Sequence, residues 1–357
     1  MTDRSTAVIK IGTSSVTGSD GLPNATLLAS LAQQIQNSAS HIDVVVVSSG
    51  AVNAGWATIG KDQPRPSDSV VLQAVSAVGQ QLLMRTWADA FAVQDRVVGQ
   101  VLLAPHDFEN RSQYLHARQT LGQLLTLGIV PIINENDAVA DDEIRYGDND
   151  RLAALVAHLV GAQRLLILTD TPGLLTADPR HDANASLIEV VTEIDASLAA
   201  RAGGPSSVGL GGMSSKVQAA WMATWSGVET VIASATAPDV VHRFLEGLDA
   251  GGTTFTARER SLSARKLWIA FAVAAAATLV VDEGAAADIV ADSSLLSVGI
   301  SAVRGNALAG DPVEIVNEAG VLLAKGIVRF DVRDGHSVAT SDGIVIHRDD
   351  LVILTSS

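Results

Sequence analysis

The sequence predicts an α/β chain with two folded parts: a three-layer αβα sandwich around a mostly parallel central sheet, then a small C-terminal β-rich domain. Three observations carry this expectation. Short β-branched apolar runs alternate with helical spacing from Ala7 to about Ala233, as repeated βα units require. The runs are continuous and not alternating, the pattern of strands buried on both faces. After Arg265-Lys266 the texture changes to short β runs broken by glycine, with turn signals at roughly ten-residue spacing, which predicts a small barrel or sandwich.

Taken in order, Ala7–Ile11, Asp43–Val47, Val97–Leu103, Ile129–Ile133, Arg164–Leu168 and Val228–Ala233 read as strands. Between them, Leu27, Leu28, Leu31 and Ile35 fall on one helical stripe after Pro23-Asn24, and Leu152, Leu155, Val156 and Leu159 do so after Asp150. In the second part, Thr278–Val281, Gly299–Val303, Pro312–Val316, Gly326–Phe330, Gly343–Ile346 and Leu351–Leu354 read as strands. The expected organisation is a first domain over 1–258, a linker over 259–272 built around the charged and polar run Arg258–Lys266, and a β domain over 273–357. The apolar stretch Leu267–Val281 is 15 residues long, short of the ~20 needed to span a bilayer, and reads as a buried strand with its approach.

Charge narrows the functional classes. With 39 acidic against 24 basic side chains the formal net charge is −15, and no Lys/Arg run offers the basic footprint that nucleic acid or an anionic membrane needs. Residues 273–357 alone carry 12 acidic against 5 basic side chains. Zero cysteines exclude disulfides, thiolate metal sites and cysteine nucleophiles, and fit a reducing cytoplasm. The polar start, with Lys10 interrupting the apolar run Ala7–Ile11, is unlike a signal peptide. No H-E-x-x-H, G-x-S-x-G or Walker A string occurs. His158 reads as a packing residue, and Trp221 and Trp225 as core.

The informative residues are polar groups and glycines at strand ends, where α/β folds bind ligands. Strand one ends in Lys10-Ile-Gly-Thr-Ser-Ser15, and a lysine in an apolar strand is costly unless paired with an acid or aimed at an anion. Strand two ends in Ser48-Ser49-Gly50-Ala51, where glycine admits a ligand to the backbone. Asn134, Asp137, Asp148 and Asn149 crowd two segments, Pro131–Asp137 and Gly147–Asp150; together they suit an amino acid's ammonium and carboxylate, or a metal. Asp150 reads as a helix N-cap. Thr169-Asp170 ends strand five, and an acid there can hold lysines in place. Gly209-Leu-Gly-Gly-Met-Ser-Ser-Lys216 precedes a helix and has the ingredients of a phosphate cradle.

In combination these strings resemble the glutamate 5-kinases of the amino acid kinase family, with a PUA-like C-terminal domain. The carrying residues are Lys10–Ser14, Ser48–Ala51, Ile133–Val139, Gly147–Asp150, Leu168–Asp170, Gly173–Arg180 and Gly211–Lys216, in the family's order. The resemblance implies an amino acid kinase-like sandwich that uses ATP and Mg²⁺ to phosphorylate the γ-carboxylate of L-glutamate, the first step of proline synthesis. It places substrate at Ser49, Asn134, Asp137, Asp148 and Asn149. It places ATP at Lys10, Gly12, Thr169, Asp170 and the stretch Leu210, Gly211, Gly212, Met213, Ser214, Ser215 and Lys216, and names no residue as a metal ligand. Lys10 and Lys216 are expected to flank the transferred group, Gly12 and Gly50 to offer backbone N–H groups, and Asp170 to orient the lysines. Leu210 departs from the family's usual threonine. L-Proline as feedback inhibitor, a dimer or tetramer, and a cytoplasmic location are implied as well. The alternatives are a family member acting on aspartate, acetylglutamate, carbamate or a nucleotide, or an RNA-binding PUA protein.

Overall fold

The computed structural model describes residues 4–60, 64–139, 149–182, 184–193, 198, 212–259, 262–272, 275–338 and 343–354. Two compact units divide the chain, Met1–Ser261 and Leu262–Ser357.

In the first unit the strands are β1 (Ser5–Ile11), β2 (Ile42–Ser48), β3 (Val98–Leu103), β4 (Val130–Glu135), β5 (Arg164–Thr169), β6 (Val190–Val191), β7 (Glu229–Ser234) and β8 (Thr253–Phe255). Among the described residues they form one eight-stranded sheet in the order β3-β4-β2-β1-β5-β7-β8-β6. All pairs are parallel except β7 with β8. Five expected strands, β1, β2, β4, β5 and β7, lie within two residues of their predicted ends and are almost wholly buried. Strand β3 departs from that: it closes one edge of the sheet, so Gln100 is exposed and most of its neighbours are half-buried. The short β6 and β8 lack a run long enough to stand out.

The helices are α1 (Thr13–Val16), α2 (Ala25–Ser38), α3 (Ala51–Ile59), α4 (Ser69–Ala92), α5 (Pro105–Glu109), α6 (Arg111–Thr126), α7 (Asn149–Val160), α8 (Met213–Trp225) and α9 (Val240–Leu245). Asn24 caps α2, its side chain accepting from the Leu27 N–H at 3.1 Å. Leu28, Leu31 and Ile35 of α2 then share a core with Leu83 and Trp87 of α4 and Phe244 of α9. From the sheet, Ala7, Ile9 and Ile11 of β1 and Val44 and Val46 of β2 point into that core. Strand side chains alternate between faces. Lys10 therefore projects to the opposite face, against which α7 and α8 pack.

On α7, His158 is half-buried, and burial, with the Arg118 charge adding to it, pushes its imidazole down to about 4. The unfolded chain takes up that proton near pH 6.5, so the stability is fully present above pH 6.5 and is lost as pH falls towards 4. Acid destabilisation of about 2–3 kcal/mol is expected from this residue. A His158→Gln variant should flatten the fall in melting temperature across that window; an unchanged slope would count against the assignment.

The second unit contains α10 (Ala264–Leu267), a π-helical turn (Trp268–Ala272), β9 (Ala277–Val281), α11 (Glu283–Val290), β10 (Leu295–Leu296), β11 (Ile300–Gly305), β12 (Pro312–Asn317), β13 (Leu322–Ile327), β14 (Ile344–Ile346) and β15 (Leu351–Ile353). Its main sheet runs β11-β9-β12-β13-β15, with β10 and β14 paired separately. Leu267, Ile269 and Ala270 are buried within this unit, the turn touching β13 and β15. Residues 262–272 of the expected linker thus fold with the C-terminal part, and the first half of the apolar stretch is helical. The strand expected at Gly326–Phe330 instead begins four residues earlier and ends three residues earlier. A tight turn at Gly320 (φ +81°), with Asn317 Oδ1 accepting from the Val321 N–H at 2.9 Å, sets the register of β12 on β13. No described helix is long and apolar enough to cross a membrane.

Candidate active site

The carboxyl ends of β4, β2, β1 and β5 lie side by side, β1 being where the strand order turns back on itself. One carboxylate organises the cations there. Asp150, in the first turn of α7 and fully buried, meets Lys10 Nζ at 2.5 Å through Oδ1 and Lys216 Nζ at 3.1 Å through Oδ2. Lys10 is 2% exposed and Lys216 5%. Two residues 206 positions apart in sequence thus share a counter-ion, because the alternation of β1 aims Lys10 at the layer that holds α7 and α8. The Ser215 hydroxyl stands 3.0 Å from the same Asp150 oxygen and 2.8 Å from the Gly212 carbonyl.

This arrangement corrects two expectations. Asp150 is no N-cap; its carboxylate is spent on the lysines. Asp170, expected to orient them, is exposed at the end of β5 and accepts from the Thr169 hydroxyl at 3.1 Å. A third correction concerns Gly12. Its N–H, expected to face phosphate, donates to the Leu168 carbonyl at 3.3 Å. A Cβ at this position would make only ordinary contact, 3.5 Å from Lys10 Nζ. Gly212, in extended backbone, precedes α8 with no side-chain cap, so among the described residues the N–H groups of the helix's first turn, from Met213 and Ser214 on, have no capping side chain. Asp148, Leu210 and Gly211 lie outside the described residues.

A second cluster, of amides and hydroxyls, adjoins the first. Asn149, next in sequence to Asp150, donates through Nδ2 to Ser49 Oγ at 2.7 Å and to Asn134 Oδ1 at 2.8 Å. Asn134 Nδ2 donates to Gln80 Oε1 at 2.8 Å. The Ser76 hydroxyl donates to Asp137 Oδ2 at 3.1 Å, and Trp87 Nε1 to Ser48 Oγ at 2.9 Å. Ser76 and Gln80 were not legible as site residues. Their only signal is a spacing of four, which puts them on one face of a helix that carries other polar residues as well.

Gly50 (φ +103°) makes the turn from Ser49 into α3; a Cβ there would meet Val16 Cγ1 at 2.6 Å. Ser15 Oγ, in α1, and Thr171 Oγ1, just past the end of β5, are buried without a hydrogen-bond partner among the described residues. In the string Thr176–Arg180, Arg180 hydrogen-bonds hold the Asp178 carboxyl well below the usual range, a self-contained turn. Trp225 is buried as expected, with the Arg258 guanidinium stacked on its ring, whereas Trp221 is only half-buried.

The arrangement places two buried ammonium groups, tied to one acid, beside a cradle of amides and hydroxyls that also holds the Asp137 carboxylate. The sequence profile of the Amino acid kinase family matches residues 5–234. The chain belongs to the amino acid kinase family. A PUA domain profile matches residues 277–338, within the second unit. Among curated members, Glutamate 5-kinase of Myxococcus xanthus (strain DK1622) is 42% identical over 362 residues, 97% of this chain and 96% of that protein. Glutamate 5-kinase of Mycobacterium avium (strain 104) is 42% identical over 356 residues, covering 97% of this chain and 96% of the relative. Among solved structures, isopentenyl phosphate kinase superposes with a TM-score of 0.50 over 70% of this chain and 100% of that one, at 19% identity. That likeness speaks for the family's fold alone.

Proposed function

We propose that this member of the amino acid kinase family transfers the terminal phosphoryl group of ATP to the γ-carboxylate of L-glutamate, giving L-glutamyl 5-phosphate at the entry to proline synthesis. The observation that carries the reading is the bridge from Asp150 to Lys10 and Lys216, set directly beside the Asn149–Asn134 cluster. Likeness to glutamate 5-kinases over 97% of the chain supports the same substrate.

A glutamate carboxylate, with an ordinary pKa of about 4.3, is already ionised at neutral pH, so the reaction needs no catalytic base. The difficulty is electrostatic, because two anions must meet and the charge on the moving phosphoryl group must be stabilised in line. Lys10 and Lys216 supply fixed positive charge for that group, and Asp150 keeps both ammoniums in place before substrate arrives. The cation contact must be local, since the chain's net charge of −15 repels nucleotide at long range.

The N–H groups at the start of α8, which no described side chain caps, and the hydroxyls of Ser15 and Thr171, unpartnered among the described residues, fit a nucleotide's phosphates. Among the described residues no group of three or more acids and histidines is gathered that could hold a metal. Mg²⁺ would arrive with ATP and neutralise phosphate charge. Ser49, Asn149 and Asp137 would hold the amino-acid end, and L-proline, with the same ammonium and carboxylate, would compete there. A homo-oligomer and a cytoplasmic location complete the reading.

The test is chemical trapping. Enzyme with glutamate, ATP, Mg²⁺ and hydroxylamine should yield γ-glutamyl hydroxamate. Absence of hydroxamate at high enzyme, or better trapping with aspartate or acetylglutamate, would overturn the choice of substrate.

A further inference from the structure

Each amide in the cluster has a set number of donors and acceptors, and the described contacts leave a particular remainder. Asn134 Oδ1 accepts twice, from Asn149 Nδ2 at 2.8 Å and from the Glu135 N–H at 2.9 Å, while its nitrogen donates to Gln80 Oε1. Asn149 Nδ2 is occupied by Ser49 and Asn134. Two atoms remain: Gln80 Nε2 and Asn149 Oδ1 are buried with no hydrogen-bond partner among the described residues. Gln80 is 8% exposed and Asn149 9%. Buried polar atoms are satisfied as a rule, so an unpaired donor and an unpaired acceptor in one cluster mark where a ligand with both kinds of group completes the set.

We propose that Gln80 is a substrate-binding residue whose side-chain N–H groups hold the α-carboxylate of a zwitterionic amino acid, while Asn149 Oδ1 accepts from its ammonium. This rests on the glutamate-kinase reading above. The direction follows from the order Gln80, Asn134, Asn149. Asn149 is the member next to Asp150 and the lysines, so Gln80 stands at the end remote from phosphoryl transfer. The γ-carboxylate that attacks the phosphoryl group belongs at the lysine end, which leaves the α-carboxylate for Gln80. The side chain is held for this by Asn134, which makes no other use of its amide nitrogen among the described contacts. Its helix, α4, sends Ser76 to Asp137 from the same face one turn earlier.

Two variants separate binding from mere support. Gln80→Glu keeps an oxygen for Asn134 and removes the N–H donors; Gln80→Met removes both. In each, KM for glutamate should rise tenfold or more, with KM for ATP within twofold of wild type. The inhibition constant of 4-aminobutyrate, which has the γ-carboxylate and amine but no α-carboxylate, should stay within twofold. A glutamate KM within twofold of wild type in both variants would overturn the proposal. So would an equal rise in the 4-aminobutyrate constant, which would make Gln80 a packing residue. Failure of the wild type to form γ-glutamyl hydroxamate is a separate outcome that removes the reaction itself, and this assignment with it.

Discussion

Replacing Lys216 by methionine is expected to slow turnover by about 10²–10³-fold while leaving the fold standing, since one preorganised charge contact is worth roughly 3–4 kcal/mol in a barrier. The expectation of a surviving fold comes from Asp150. Removing one partner of a buried pair usually strands a charge, but here Asp150 keeps Lys10 at 2.5 Å and Ser215 at 3.0 Å. Methionine also fills much of the lysine's volume at a site that is 5% exposed. A loss of about 1–2 kcal/mol is expected, a few degrees in melting temperature for a unit of this size. Single-turnover kinetics at saturating ATP and glutamate, with thermal unfolding in parallel, check both halves. Turnover within fivefold of wild type would remove Lys216 from the chemistry.

The second large effect falls on a residue that touches no substrate. Gly79→Ala is expected to cost about 3 kcal/mol and to lower the melting temperature by roughly 6–12 °C. Helices α3 and α4 meet backbone to backbone: a Cβ on Gly79 would stand 1.7 Å from the Ala51 carbonyl oxygen and 2.4 Å from the Gly55 nitrogen. Gly55 is equally confined, its Cβ falling 2.0 Å from the Val75 carbonyl oxygen. Nothing flexible lies in the way, so the helices must separate. Ser76 and Gln80 ride on α4 on either side of this contact, and KM for glutamate should rise together with the loss of stability. A melting temperature within 2 °C of wild type would show that the two helices can part freely.

Much of the sheet was readable from composition and period. Continuous β-branched runs mark β1, β2, β4, β5 and β7 because those strands are covered on both faces. The same rule misjudged β3, whose place at the sheet edge is a matter of strand order and leaves no local trace. In the second unit, the offset of β13 came from a turn at Gly320 that sets cross-strand register.

In the site, Lys10 and Lys216 stood out as cations in apolar or glycine-rich surroundings, and Asn134 and Asn149 as amides at strand and helix ends. Asp150 did not, because an acid at a helix start is explained well enough by capping. Gln80 was hidden for a different reason, being one of several polar residues along a 24-residue helix, with Gln81 beside it, and nothing local marks which of them faces the site.

By itself the amino-acid order determined the alternation of strands and helices, the face of β1 from which Lys10 projects, and the chemical types gathered at strand ends. Those are local properties of period and side chain. Only the tertiary structure decided that Asp150, not Asp170, bridges two lysines 206 residues apart, and that Gln80 of α4 completes the amide chain. The reason is physical: which distant groups share a buried counter-ion or hydrogen bond depends on strand order and helix contact, and both are settled when the layers close over the sheet.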